Sequence, residues 1–301
     1  MNMPIFPPAM APHASIHIVA PSGSFDKARF EKGIGCLQKA GFNPLYREDI
    51  FSQDSYLAGS DEGRLSALQA VLADPGVACI WAARGGYGAT RLLAQMDVEA
   101  LAKHPKWLVG FSDITALHCR WQEAGLISLH AANITTLADW SAEAREELFN
   151  LLRYQGDQAF RFTKVQGGEE VLHVPLRGGN LSVLSAMVGT GFLPDFSGAC
   201  VFLEDVGEKA YRTDRCLTQL KQAGVFTGVK AIALGQFSDC GANEDLDFVV
   251  AKCLSALEVP ILKDLPIGHD PSSRPLVLGA HYTIDLKERM MVLNLSRSDE
   301  A

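Results

Sequence analysis

The chain has 301 residues, 48% of them hydrophobic and 21% charged, with a formal net charge of −8. That length and apolar content allow a large core and two domains. The acidic balance, with no local basic cluster, excludes partners held through nucleic-acid phosphates. Seven scattered cysteines (Cys36, Cys79, Cys119, Cys200, Cys216, Cys240 and Cys253) form no Cys-x-x-Cys pair, which argues against a disulfide framework or a thiolate zinc site and points to a reducing compartment.

Residues 1–12 are proline-rich and carry no lysine or arginine, unlike the charged start and apolar segment of a signal peptide. No apolar run reaches the ~20 residues of a membrane span, so a soluble, cytoplasmic protein is expected. Ser15 to Ala20 predicts a short buried strand and Phe25 to Ala40 a helix closed by Gly41. A strand over Phe42 to Tyr46, a helix over Asp61 to Ala73 and a strand over Val77 to Ala82 follow. The loop Arg84-Gly85-Gly86-Tyr87-Gly88 leads to a helix expected from Ala89. A fourth strand ends at Gly110 and a fifth covers Ile127 to His130. Strand and helix alternating in this way predict a parallel sheet covered on both faces, with sites at the carboxyl ends of its strands.

Ser141 to Tyr154 is one further helix, and the polar stretch 155–175, with Gly156, Gly167 and Gly168, reads as a linker between domains 1–154 and 176–301. Beyond it, Leu176 to Ser182 reads as a glycine turn into a helix through Met187, and Cys200 to Leu203 as a strand. Leu217 to Ala223 reads as a helix, Ala231 to Gln236 as a strand and Phe248 to Leu257 as a helix. A hairpin, His281 to Leu286 with Met290 to Leu295, closes the chain.

The stretch Trp107 to His118 stands out. An apolar run stops at Gly110 and restarts with helical spacing at Ile114 and Leu117, placing Ser112 in a strand-turn-helix junction. There its hydroxyl is lifted from the sheet beside the first backbone N–H groups of a helix, a setting that suits a nucleophile as well as a helix cap. The spacing is not Gly-x-Ser-x-Gly, since Ile114 occupies the second glycine position. A serine nucleophile needs a base and an orienting acid. Among eight histidines, His269 in the turn Pro266-Ile267-Gly268-His269-Asp270-Pro271 is the best base, whereas His118, six residues along the helix from Ser112, falls on a different face and His17, within a strand, reads as packed. Glu204, at the end of the apolar strand Val201-Phe202-Leu203, is the natural acid, with Asp205 and Glu208 as rivals. The glycine loop fits neither a dinucleotide fingerprint nor a Walker motif. With Arg84, its amides make a cradle for a carboxylate or oxyanion. No His-Glu-x-x-His motif exists, so neither metal nor cofactor is expected.

Taken together, Gly110-Phe111-Ser112-Asp113, Arg84 to Gly88, Gly178-Gly179-Asn180-Leu181-Ser182, the run Leu203 to Arg215 and Pro266 to His269 resemble, in order, the motifs of the serine L,D-carboxypeptidases, or muramoyltetrapeptide carboxypeptidases. The resemblance extends from about Ile16 to Leu295. It implies a flavodoxin-like α/β N-terminal domain, a smaller β-rich C-terminal domain and a homodimer. It also implies a nucleophile Ser112, a base His269 and an acid Glu204, with oxyanion donors at the amides of Asp113 and Gly86. Arg84, with Gly85 and Tyr87, falls at the expected substrate-binding loop. The implied substrate is a murein tetrapeptide losing its terminal D-alanine during cell-wall recycling. A microcin-immunity type of hydrolase acting on aminoacyl-nucleotide conjugates, with Trp140 as a candidate adenine contact, and a non-catalytic muropeptide-binding protein are the alternatives. One departure is visible: His130-Ala131-Ala132-Asn133 stands where relatives often carry His-Gly-Pro.

Overall fold

The computed structural model describes residues 4–293 and residue 295. Residues 1–3 of the N-terminal segment and Asn294 of the closing hairpin lie outside the described residues. The chain divides into two compact units, one running up to Tyr154 and including Pro275–Val277, the other made of Gln155–Arg274 and the chain from Leu278 onward.

In the first unit the apolar runs form β1 (Ser15–Val19), β2 (Asn43–Leu45), β3 (Cys79–Ala82), β4 (Trp107–Gly110) and β5 (Ser128–His130). Every residue of β3, β4 and β5 is buried, as strands covered on both faces require. β1 pairs in parallel with β2 and β3, β3 with β4, and β4 with β5. The intervening helices begin where short polar side chains cap them: Asp26 accepts from the Arg29 amide at 2.8 Å before Lys27–Lys39, and Ser60 from the Gly63 amide at 3.1 Å before Asp61–Ala73. The helix expected from Ala89 is a 3₁₀ run, Ala89–Gln95, and Asp97 then caps a separate helix, Val98–Lys103. Helices Thr115–Glu123 and Ala142–Leu152 complete the frame.

The second unit holds β6 (Gln158–Arg161), β7 (Thr163–Gln166), β8 (Val171–Asn180), β9 (Cys200–Val206), β10 (Ala231–Ser238) and β11 (Ile261–Lys263). After β12 (Leu276–Leu278) come β13 (His281–Asp285) and β14 (Met290–Leu293), the antiparallel hairpin read from the sequence. Two sheets result: six strands in the order β12-β5-β4-β3-β1-β2, and eight in the order β6-β14-β13-β8-β9-β10-β11-β7. The first has the doubly wound order of a flavodoxin-like domain. The second is parallel from β8 through β11 and antiparallel outside them, with helices Leu181–Ala186, Ala210–Gln222 and Asn243–Leu254.

Two readings of the sequence are corrected. The stretch 155–175 is no linker, since β6, β7 and the start of β8 occupy it. In β6 the inward positions are Gln158 and Phe160, and a buried glutamine bonded to Tyr282 Oη at 3.0 Å hides the alternation. Nor do Gly178 and Gly179 make a turn: both pair with β9 within β8. A Cβ on Gly178 would lie 2.0 Å from the Phe202 carbonyl oxygen, and its φ is +129°, so only glycine fits there.

The β9–β10 ladder carries a bulge. Leu234 pairs with Leu203 and Phe237 with Asp205, so Gly235 and Gln236 together face Glu204.

Candidate active site

Ser112 lies where β4 has ended and a 3₁₀ turn, Ser112–Ile114, leads into Thr115–Glu123. Its φ is +64°, a left-handed conformation that costs a non-glycine residue energy and that recurs at functional turns. Asn133 holds the preceding residue: its Oδ1 accepts from the Phe111 amide at 3.3 Å and its Nδ2 donates to the Phe111 carbonyl at 3.5 Å. The Asp113 amide sits in the first turn, where a helix offers no carbonyl acceptor. The buried Asp113 carboxylate accepts from the Ala89 amide at 2.8 Å, and burial pushes its carboxyl above the ordinary range.

The glycine loop comes right up to this serine. A Cβ on Gly85 would stand 2.9 Å from Ser112 Cβ and 3.1 Å from its Oγ, so Gly85 is glycine for reasons of space. Gly86, at φ +100°, follows. Arg84 donates to the Ser24 carbonyl and the Gly23 amide to the Gly85 carbonyl at 3.1 Å, tying the loop after β1 to the loop after β3. From beneath, buried Arg64 donates to the carbonyls of Pro21 and, at 3.0 Å, Gly88. The Tyr87 ring is exposed and packs against Tyr56, centroids 6.0 Å apart.

In the second unit, Glu204 is fully buried near the carboxyl end of β9, and its Oε2 lies 2.7 Å from His269 Nδ1. A carboxylate can only accept, so Nδ1 carries the proton and Nε2 is the basic nitrogen. Asn180 Nδ2 donates to Glu204 Oε1 at 3.3 Å and to Asp205 Oδ1 at 2.9 Å. Asp205 also accepts from the Ser182 amide and hydroxyl at 3.0 and 2.6 Å, and Glu208 faces Arg212 at 3.3 Å. Of the three acids considered, Glu204 is the one on the histidine.

His118 and His17 belong to the first unit. His118 is fully buried, with Nδ1 2.8 Å from Ser128 Oγ and Nε2 2.9 Å from the Gly110 carbonyl, and burial pushes its pKa down to about 4. His17 is half-buried in β1 and lowered for the same reason. His130 and Trp140 are buried as well, so Trp140 offers no exposed face for an adenine. Among the described residues no group of three or more His, Cys, Asp or Glu side chains is arranged to hold a metal ion. Asn133 and Arg64 were not legible as site residues. Asn133 left one trace, the departure from His-Gly-Pro, whereas Arg64 reads as an ordinary helical arginine.

A doubly wound sheet with a strained serine at a strand end, together with a buried carboxylate-histidine pair at a strand end of a second sheet, gives this chain the parts of an α/β serine hydrolase. The profile of the LD-carboxypeptidase N-terminal domain matches residues 16–131, and that of the LD-carboxypeptidase C-terminal domain matches residues 174–284. A putative carboxypeptidase of Streptomyces coelicolor is 36% identical over 96% of this chain and 96% of its own length. The murein tetrapeptide carboxypeptidase of Pseudomonas aeruginosa is 32% identical over 88% and 91%. The crystal structure of muramoyltetrapeptide carboxypeptidase from Oxalobacter formigenes superposes with a TM-score of 0.83 at 29% identity, covering 92% of this chain and 97% of that one. The chain belongs to the LD-carboxypeptidase family, the serine carboxypeptidases of peptidase family S66.

Proposed function

We propose that this protein removes the terminal D-alanine from murein tetrapeptides through a Ser112–His269–Glu204 triad. The observation that carries the reading is the 2.7 Å contact between His269 Nδ1 and the buried Glu204 carboxylate, which fixes the imidazole tautomer a base needs. His269 Nε2 takes the Ser112 proton as Oγ attacks the carbonyl of the L-centre before D-alanine. The amides of Asp113 and Gly86 hold the oxyanion, and losing one such donor costs on the order of 10²–10³ in kcat. His269 then gives its proton to the departing D-alanine amine, leaving an ester on Ser112. Water, deprotonated by the same nitrogen, hydrolyses that ester and restores the serine. Arg84, with Gly85 and Tyr87, receives the substrate's terminal carboxylate.

The second reading kept from the sequence, an aminoacyl-nucleotide substrate, is not favoured by buried Trp140. All seven cysteines are free thiols, and no helix among the described residues is long and apolar enough to cross a membrane. Both accord with action in the cytoplasm, here proposed to occur as a homodimer, which sedimentation would test.

The deciding experiment is release of D-alanine from L-Lys-D-Ala and diaminopimelyl-D-Ala tetrapeptides, followed by mass spectrometry. Wild type should yield tripeptide, and Ser112→Ala, Glu204→Ala and His269→Ala should each lose at least ~10³ in rate. An inactive wild type on both peptides refutes the reading.

A further inference from the structure

The bulge in β10 has no role in pairing strands, and its position suggests another. Its two residues, Gly235 and Gln236, stand opposite Glu204 alone. Freed from the regular ladder, the Gln236 amide donates to the Ile267 carbonyl at 2.8 Å, two residues before His269. The Gln236 side chain continues the attachment: its Oε1 accepts from the buried Ser273 hydroxyl at 2.6 Å, on the far side of His269. The loop between these points closes on itself through the Arg274 amide to the Pro266 carbonyl, 2.8 Å, and the Ser273 amide to the Asp270 carbonyl, 2.9 Å. Two glycines let the surfaces meet. A Cβ on Gly235 would lie 2.3 Å from the Ile267 carbonyl oxygen, and one on Gly268 would lie 2.9 Å from Gln236 Cβ.

We propose that Gln236 is a positioning residue for His269: the extra residue in β10 turns the backbone beside Glu204 toward the histidine loop, and Gln236 fastens both flanks of that loop, one through its backbone amide and the other through its side chain, so that Nδ1 meets the carboxylate. Bulges that re-aim groups beside a site are a known use of the irregularity, and a misplacement of about 1 Å can cost about 10² in rate. The proposal rests on the triad reading above, but its test does not depend on that alone.

Three variants are compared with wild type: Gln236→Leu and Ser273→Ala, which remove the hydrogen bond from either side, and Gln236→Glu, which keeps the acceptor. The readouts are kcat and KM on the tetrapeptide, together with the downfield proton resonance of the His269 Nδ1–H bound to Glu204, assigned by its loss in His269→Gln. Gln236→Leu and Ser273→Ala should lower kcat about 10²-fold with KM within about twofold, and should shift or broaden the resonance. Gln236→Glu should keep both near wild type. The proposal falls if Gln236→Leu leaves kcat and the resonance unchanged, or if Gln236→Glu loses as much as Gln236→Leu. Should the wild type prove inactive on tetrapeptides, the resonance still decides the positioning claim, since it needs no substrate.

Discussion

Ser112 and Gly85 show how finely a single residue's size is set here. Gly85 is buried, yet no unusual φ demands glycine there. What demands it is the serine side chain, which would stand 3.1 Å, at Oγ, from any added methyl. Gly85→Ala is therefore expected to leave the fold intact and lower kcat/KM on the tetrapeptide by about 10² or more, by displacing the hydroxyl. Tetrapeptide kinetics beside a thermal melt would check this, and unchanged kinetics would refute it. The sequence makes Ser112 visible because an apolar run, a glycine and a restarted helical period are local signals. It makes Glu204 and His269 visible as types at strand and loop ends. The pressure of Gly85 on Ser112 was not legible, because residues 27 positions apart in the chain meet only in the folded sheet.

At the scale of elements the same distinction divides two neighbouring glycines. Helix Lys27–Lys39 contains Gly33 and Gly35. A Cβ on Gly33 would come 1.9 Å from the carbonyl oxygen of Ile134, the first residue of the short helix Ile134–Leu137, whereas one on Gly35 would meet nothing within 4 Å. Gly35→Ala should raise stability by about 0.5–1 kcal/mol through helix propensity. Gly33→Ala should lower it by roughly 2–4 kcal/mol by forcing the helices apart. Urea unfolding of the two variants checks both signs, and a shared sign would refute the packing argument. From sequence the pair look alike. Strand β7 escaped notice for a related reason: Thr163–Gln166 is an edge strand with no buried residue, so pairing with β11, about a hundred residues later, defines it and periodicity does not. The β10 bulge was equally invisible, since the register of a ladder is a property of two strands.

For the whole molecule, acid should reveal the histidine buried in the first unit. His118 titrates near 4 when folded against 6.5 in an open chain. The folded state thus binds fewer protons, and its stability is complete above about pH 6.5 and declines as pH falls toward 4, by up to about 3 kcal/mol. Asp113, raised by burial, works in the opposite direction over the acid range. Comparing wild type with His118→Gln isolates the histidine: between pH 7 and 4.5 the wild type's melting temperature should fall further, and equal falls would refute the assignment. The order of the chain has a consequence of its own. β12 adds the sixth strand to the first sheet, beside β5, yet it is made from residues 276–278, after nearly all of the second unit. During synthesis the strand that closes the first sheet leaves the ribosome only when the second unit is almost fully translated. The domain that begins first is therefore finished late, and until then the outer edge of β5 has no strand beside it to keep other chains from pairing there.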